Sequence, residues 1–168
     1  MMLALAGLRG AGKSFISRIL VEEFGWTRIY KHDMLRKLHE RSDDLGNWEH
    51  WYLQQYRERG VSAVTEDILQ VLPQTTPLVL DAVHNPIEWH TIKSRVLESR
   101  LFLVVASREV RERRRGPNQD EANRTRLSYW HEQKGSSSCL AAEVDWTLNG
   151  AASIELLRLE LKQGLMTL

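Results

Sequence analysis

Residues 7–14 read Gly-Leu-Arg-Gly-Ala-Gly-Lys-Ser and fit the pattern G-x-x-x-x-G-K-[ST]. No other stretch constrains the fold as tightly. Glycines let the backbone take positive φ and turn several N–H groups around one phosphate. A helix that starts at Lys13 adds the positive end of its dipole. In this pattern the backbone of Gly7, Arg9, Gly10, Ala11 and Gly12 cradles phosphates, Lys13 reaches the β- and γ-phosphates, and Ser14 binds Mg²⁺. The flanks agree. Residues 3–6 are an apolar strand, and residues 15–24 form a helix with Ile16, Ile19, Leu20 and Phe24 on one face. The expected ligand is ATP with Mg²⁺, with GTP as the second choice.

Strand and helix patterns alternate along the rest of the chain. Strands are expected at 26–31, 77–83, 100–107 and 144–150, and helices at 33–41, 48–72, 87–97, 109–114, 120–134 and 153–165. Gly60 marks a break, and residues 135–138 a loop. Residues 100–107 carry no period-two alternation, as in a strand buried on both faces. This order implies an α/β, three-layer sandwich around a five-stranded, mostly parallel sheet. The length of 168 residues suits a single domain spanning 1–168. With 23 basic and 22 acidic residues, the overall charge gives no case for a polyanion partner. A single cysteine, Cys139, excludes an internal disulfide and fits a cytoplasmic setting. The apolar start is too short for a signal peptide, and no run is long enough to span a membrane.

A phosphate loop does not name a reaction. After the second strand, "YKHDMLRKL" places Asp33 and Arg36 where a second substrate meets the γ-phosphate. Transfer to an alcohol needs a carboxylate for the hydroxyl proton, which suits Asp33. Transfer to a phosphate needs arginine, which suits Arg36. Asp33 also suits the N-cap of the helix expected there. Further on, Trp48, Trp51, Tyr52 and Tyr56 recur every three to four residues, with His50, Arg57 and Arg59 beside them. The spacing describes either a packed helix face or rings on which an acceptor base stacks.

"HDMLR" resembles the G-D-M-L-R segment of adenylate kinases. The whole order resembles the adenylate kinase, dephospho-CoA kinase and nucleoside monophosphate kinase group: phosphate loop, D-x-L-R, "LVLDAVHNPIEW", an arginine-rich lid and "VDWTLNGAASIELL". The resemblance implies acceptor-binding helices over about 33–72 and a lid over about 108–138. It makes Asp33 and Arg36 acceptor-facing and puts Asp81 near Mg²⁺, through water. It gives Arg111 and Arg115 the transferring phosphate, with Arg124 or Arg126 reaching in. It places Asn149, Gly150 and Ala151 at the adenine. The implied activity is an ATP- and Mg²⁺-dependent kinase with a nucleotide-type acceptor, foremost a (deoxy)nucleoside monophosphate. One departure matters. Adenylate kinases carry D-G-F-P-R where this chain has Asp81-Ala82-Val83-His84-Asn85, so His84 replaces an arginine that grips the acceptor's phosphate. Histidine holds a phosphate less well. An acceptor hydroxyl therefore competes, on a ribose as in dephospho-CoA, on a small metabolite or on a hydroxymethyl pyrimidine, free or in DNA. A non-kinase ATP or GTP switch is the reading from another class. Against it, the chain has neither an N/T-K-x-D motif nor an apolar run of four ending in two acids.

Overall fold

The structure is a computed structural model, and it describes residues 1–115 and 140–167. The helix expected at 120–134, the loop at 135–138, Arg124, Arg126 and most of the lid lie outside the described residues.

Five strands alternate with six described helices: β1 Met2–Ala6, α1 Lys13–Phe24, β2 Thr27–Tyr30, α2 Lys31–Glu40, α3 Trp48–Gln70, β3 Leu78–Asp81, α4 Pro86–Arg95, β4 Ser99–Val105, α5 Arg108–Arg115, β5 Trp146–Asn149 and α6 Ile154–Met166. The strand order is β2-β3-β1-β4-β5, and all four pairings are parallel. The expected α/β sandwich is therefore present, with a sheet that is wholly parallel.

The two outer layers follow from side-chain alternation along the strands. Met2, Ala4, Ala6, Leu78, Leu80 and Leu101 pack on one face with Leu35, Tyr56, Ile68, Trp89 and Ile92. Leu3, Leu5, Val79, Phe102, Val104 and Leu148 pack on the other with Ile16, Ile19, Leu20, Leu157 and Leu161. Every residue of β1 is buried, so the strand that leads into the phosphate loop is the rigid centre of the sheet. Caps fix the helices. Asn47 accepts from Glu49 and His50 N–H, Asn85 from Glu88 N–H, and Ser153 from Leu156 N–H. Gly60 takes φ 82° and ψ 168° and kinks α3 where the break was expected.

Two boundaries matter for the site. α1 begins at Lys13, where the loop pattern puts it, and its apolar periodicity starts only at Phe15 because Lys13 and Ser14 are polar. α2 begins at Lys31, directly after β2, with Tyr30 as its N-cap residue. Asp33 therefore sits inside the first turn of α2, which corrects the expectation that it caps the helix.

Candidate nucleotide and acceptor site

A cavity of about 990 Å³ opens at the carboxyl ends of the strands. Ala6, Tyr30, Asp81 and Val105, which end β1 to β4, all line it. β1 has β3 on one side and β4 on the other. The chain thus diverges at β1, the position where open parallel sheets bind ligands.

The phosphate loop forms one wall. Gly7 has φ +136°, and a Cβ there would lie 2.2 Å from the Val104 carbonyl oxygen. Gly10 and Gly12 also have positive φ, at 84° and 116°. No side chain caps α1, so its positive N-terminal end meets the loop. Lys13 lines the cavity, and its Nζ donates to the carbonyls of Gly7 at 2.7 Å and Leu8 at 3.2 Å. Its ammonium is thereby folded over the loop it serves. Arg9 and Ala11 also line the cavity.

Ser14 Oγ donates to Asp81 Oδ2 at 3.1 Å, which joins the end of β3 to the start of α1. The same oxygen accepts from Arg28 Nη2 at 2.7 Å. The Arg28 guanidinium lies 4.0 Å from the Tyr30 ring centroid. Arg28 was not legible in the sequence as part of the site. It sits two residues before Tyr30, and Tyr30 pairs in register with Asp81. A hydroxyl beside a carboxylate is a hard oxygen pair of the kind Mg²⁺ takes alongside phosphate oxygens and water. Ser14 and Asp81 therefore fit the metal. Among the described residues, no group of three or more His, Cys, Asp and Glu side chains forms a site that holds a metal unaided.

The opposite wall comes from α2, α3 and the segment after β3. Lys31, His32 and Leu35 line it from α2, Tyr52, Leu53, Tyr56 and Arg57 from α3, and Val83 and His84 from beyond Asp81. Glu88, 1% exposed, joins two of these pieces. Its Oε1 accepts from Lys31 Nζ at 2.8 Å and its Oε2 from His84 N–H at 2.8 Å. Asp33 and Arg36 are exposed and are not part of the lining. Helix geometry explains why, since position 33 lies about 160° around the helix from both 31 and 35. Arg36 instead lies over the Trp48 ring, 4.9 Å from its centroid. Trp48 stacks on Tyr52 at 5.5 Å, and Trp51 lies 5.4 Å from His39. These two tryptophans back the wall without lining it.

The arginine-rich helix divides its residues. Arg115 lines the cavity. Arg111 is buried beneath the loop, and a Cβ on Gly10 would lie 3.2 Å from its carbonyl oxygen. Arg114, which the sequence reading passed over, binds the carbonyls of Gly10, Ala11 and Gly150. The turn at Asn149, Gly150 and Ala151 lies against the phosphate loop. Asn149 Oδ1 accepts from Ala151 N–H at 3.0 Å, and Gly150 N–H donates to the Val105 carbonyl at 2.8 Å.

The sheet order, the loop and this second wall define the class of fold, that of P-loop kinases of the nucleotide-kinase-like group. Solved shikimate kinases share it. Shikimate kinase from Acinetobacter baumannii, in complex with shikimate, has a TM-score of 0.63 at 17% identity, over 99% of this chain and 93% of that one. The enzyme from Aquifex aeolicus has 0.57 at 15% identity, over 99% and 96%. The enzyme from Bacteroides thetaiotaomicron has 0.62 at 13% identity, over 100% and 99%. No family model and no curated protein sequence matches the chain.

Proposed function

We propose that this chain is a phosphotransferase that moves the γ-phosphate of Mg·ATP to a hydroxyl group of a small acceptor. The observation that carries the reading is one cavity with two unlike walls. A phosphate loop with Lys13 folded over it faces a mixed aromatic and basic wall made by Lys31, His32, Tyr52, Tyr56, Arg57 and His84. A volume of about 990 Å³ suits small molecules side by side.

Phosphoryl transfer rests on positioning and charge neutralisation. The loop N–H groups and Lys13 hold the β- and γ-phosphates, and Arg115 adds positive charge from α5. Mg²⁺ bound with the nucleotide spreads the charge of the phosphate oxygens, and Ser14 and Asp81 would hold it there. The acceptor oxygen forms its bond to the γ-phosphorus as the bond to the ADP oxygen breaks, and the hydroxyl proton leaves to a base. Asp81 is the carboxylate in the cavity lining among the described residues. It therefore competes with Asp33 for the acceptor's proton.

The shikimate kinases support a small hydroxyl acceptor, and His84 in place of a phosphate-gripping arginine points the same way. A nucleotide acceptor is the second reading, supported by the Tyr52 and Tyr56 rings beside Arg57. The test is transfer of label from γ-labelled ATP with Mg²⁺ to a panel. The panel holds shikimate, (deoxy)nucleoside monophosphates, dephospho-CoA and DNA carrying hydroxymethyl pyrimidines. Label is expected on a small acceptor, and Lys13→Ala is expected to abolish it in a folded chain. Asp81→Asn should cost at least a hundredfold in turnover and Asp33→Asn only a few-fold. A loss of a hundredfold or more in Asp33→Asn would give the proton to Asp33, because Asp81→Asn also disturbs the place for Mg²⁺. Failure to bind Mg·ATP, or hydrolysis that only a protein partner stimulates, would overturn the kinase reading.

A further inference from the structure

Arg114 is exposed and does not line the cavity, yet its guanidinium is committed to three backbone oxygens. Nη1 donates to the carbonyls of Gly10 and Ala11, both at 3.2 Å, and Nη2 to the carbonyl of Gly150 at 2.7 Å. The first two belong to the phosphate loop, and the third to the turn after β5. An arginine offers its donors in one rigid plane, which suits a fixed set of acceptors.

The peptide groups concerned are the ones most free to turn. Those joining residues 10–11 and 11–12 are flanked by Gly10 and Gly12, whose missing side chains remove the usual barriers to rotation. In a planar trans peptide the carbonyl and the N–H point to opposite sides. Holding the Ala11 carbonyl on the outer side therefore aims the Gly12 N–H to the inner side of the loop. Holding the Gly10 carbonyl fixes the peptide whose N–H, on Ala11, closes the turn to the Leu8 carbonyl at 3.1 Å. A flip of the 11–12 peptide would present an oxygen where a phosphate needs a donor, and a flip of the 10–11 peptide would break the Leu8 turn.

We propose that Arg114 is a positioning residue for the nucleotide. It latches the phosphate loop in its donor-inward form and clamps it to the Gly150 turn, without itself touching the ligand. The inference rests on the reading that this loop holds nucleotide phosphates. It also assigns the three terminal arginines of α5 unlike tasks. Arg115 faces the cavity, Arg114 holds the loop from behind, and Arg113 pairs with Glu109 at 2.7 Å on the exposed side.

The test is the Kd for Mg·ADP by calorimetry in wild type, Arg114→Ala and Arg114→Lys, together with each chain's unliganded Tm and the Gly12 amide resonance. Arg114→Ala is expected to bind about tenfold more weakly, well below a Tm that changes little, with the Gly12 amide shifted or broadened. Arg114→Lys keeps the charge without the planar fork and should fall between. A merely structural arginine would lower Tm and leave both Kd and the amide unmoved. If Arg114→Ala does not fold, Arg114→Lys decides, and wild-type affinity there overturns the proposal. A wild type that binds Mg·ADP beside an Arg114→Ala that binds equally well overturns this inference alone. A wild type that binds no Mg·ADP overturns the functional reading and the inference with it.

Discussion

A Cβ added to Gly150 would lie 1.8 Å from the Ala11 carbonyl oxygen and 2.8 Å from Val104 Cγ1. Both neighbours are anchored, the first by Arg114 and the second by burial in the sheet. Neither can give way cheaply in a close-packed interior. Gly150→Ala is thus expected to push the phosphate loop aside and raise the Kd for Mg·ADP at least tenfold, as read by calorimetry. An unchanged Kd would show that loop and turn move independently. The same contact marks the limit of what residues disclose in order. Gly7 to Ser14 were legible because eight adjacent positions encode one local geometry. Arg28, Glu88 and Arg114 were not, because their partners lie 53, 57 and 104 positions away. An arginine among arginines gives no sign of which one faces a carbonyl.

Between elements, the Glu88 carboxylate ties α4 to α2 and to the segment after β3. Lys31 and Glu88 are 6% and 1% exposed, so each charge depends on the other. Removing one partner of such a pair costs about 3–5 kcal/mol, whereas replacing both by apolar groups of similar size is close to neutral. Glu88→Gln should lower stability by about that amount in urea unfolding, and Lys31→Met with Glu88→Met should recover most of it. A double variant whose loss equals the sum of the Lys31→Met and Glu88→Met losses would mean that the pair is not coupled. Periodicity and turn residues located these elements well and missed how two of them meet. Lys31 and His32 suit the end of a strand as well as the start of a helix. Only the docking of α2 directly onto β2 decides between them, and it turns Asp33 outward while Lys31 and His32 face the cavity.

For the molecule as a whole, the two faces of the sheet and the cavity at its edge form one stability system. A ligand that binds only the folded state at a hundred times its Kd adds about 2.7 kcal/mol. In a chain of this size each kcal/mol raises Tm by roughly 2–4 °C. Saturating Mg·ADP should therefore raise Tm by roughly 5–10 °C in wild type, and Arg114→Ala should show a smaller rise at the same concentration. A scan without any shift would deny that the cavity holds a nucleotide. The fold class was readable because alternating strands and helices leave few ways to bury every apolar face. The composition of the second wall was not, because three separate segments build it.

The phosphate loop lies within the first 14 residues, yet its last neighbour is residue 150. As the chain emerges from the ribosome, β1 gains β3 only once residues 78–81 have been made and β4 only once residues 99–105 have. Ala11 gains Gly150 only after β5 has followed. The surroundings of the loop thus come together from segments made far apart in time. On the function proposed above, a fragment that stops before β5 would carry the whole loop motif in its sequence and lack the turn against which that loop packs.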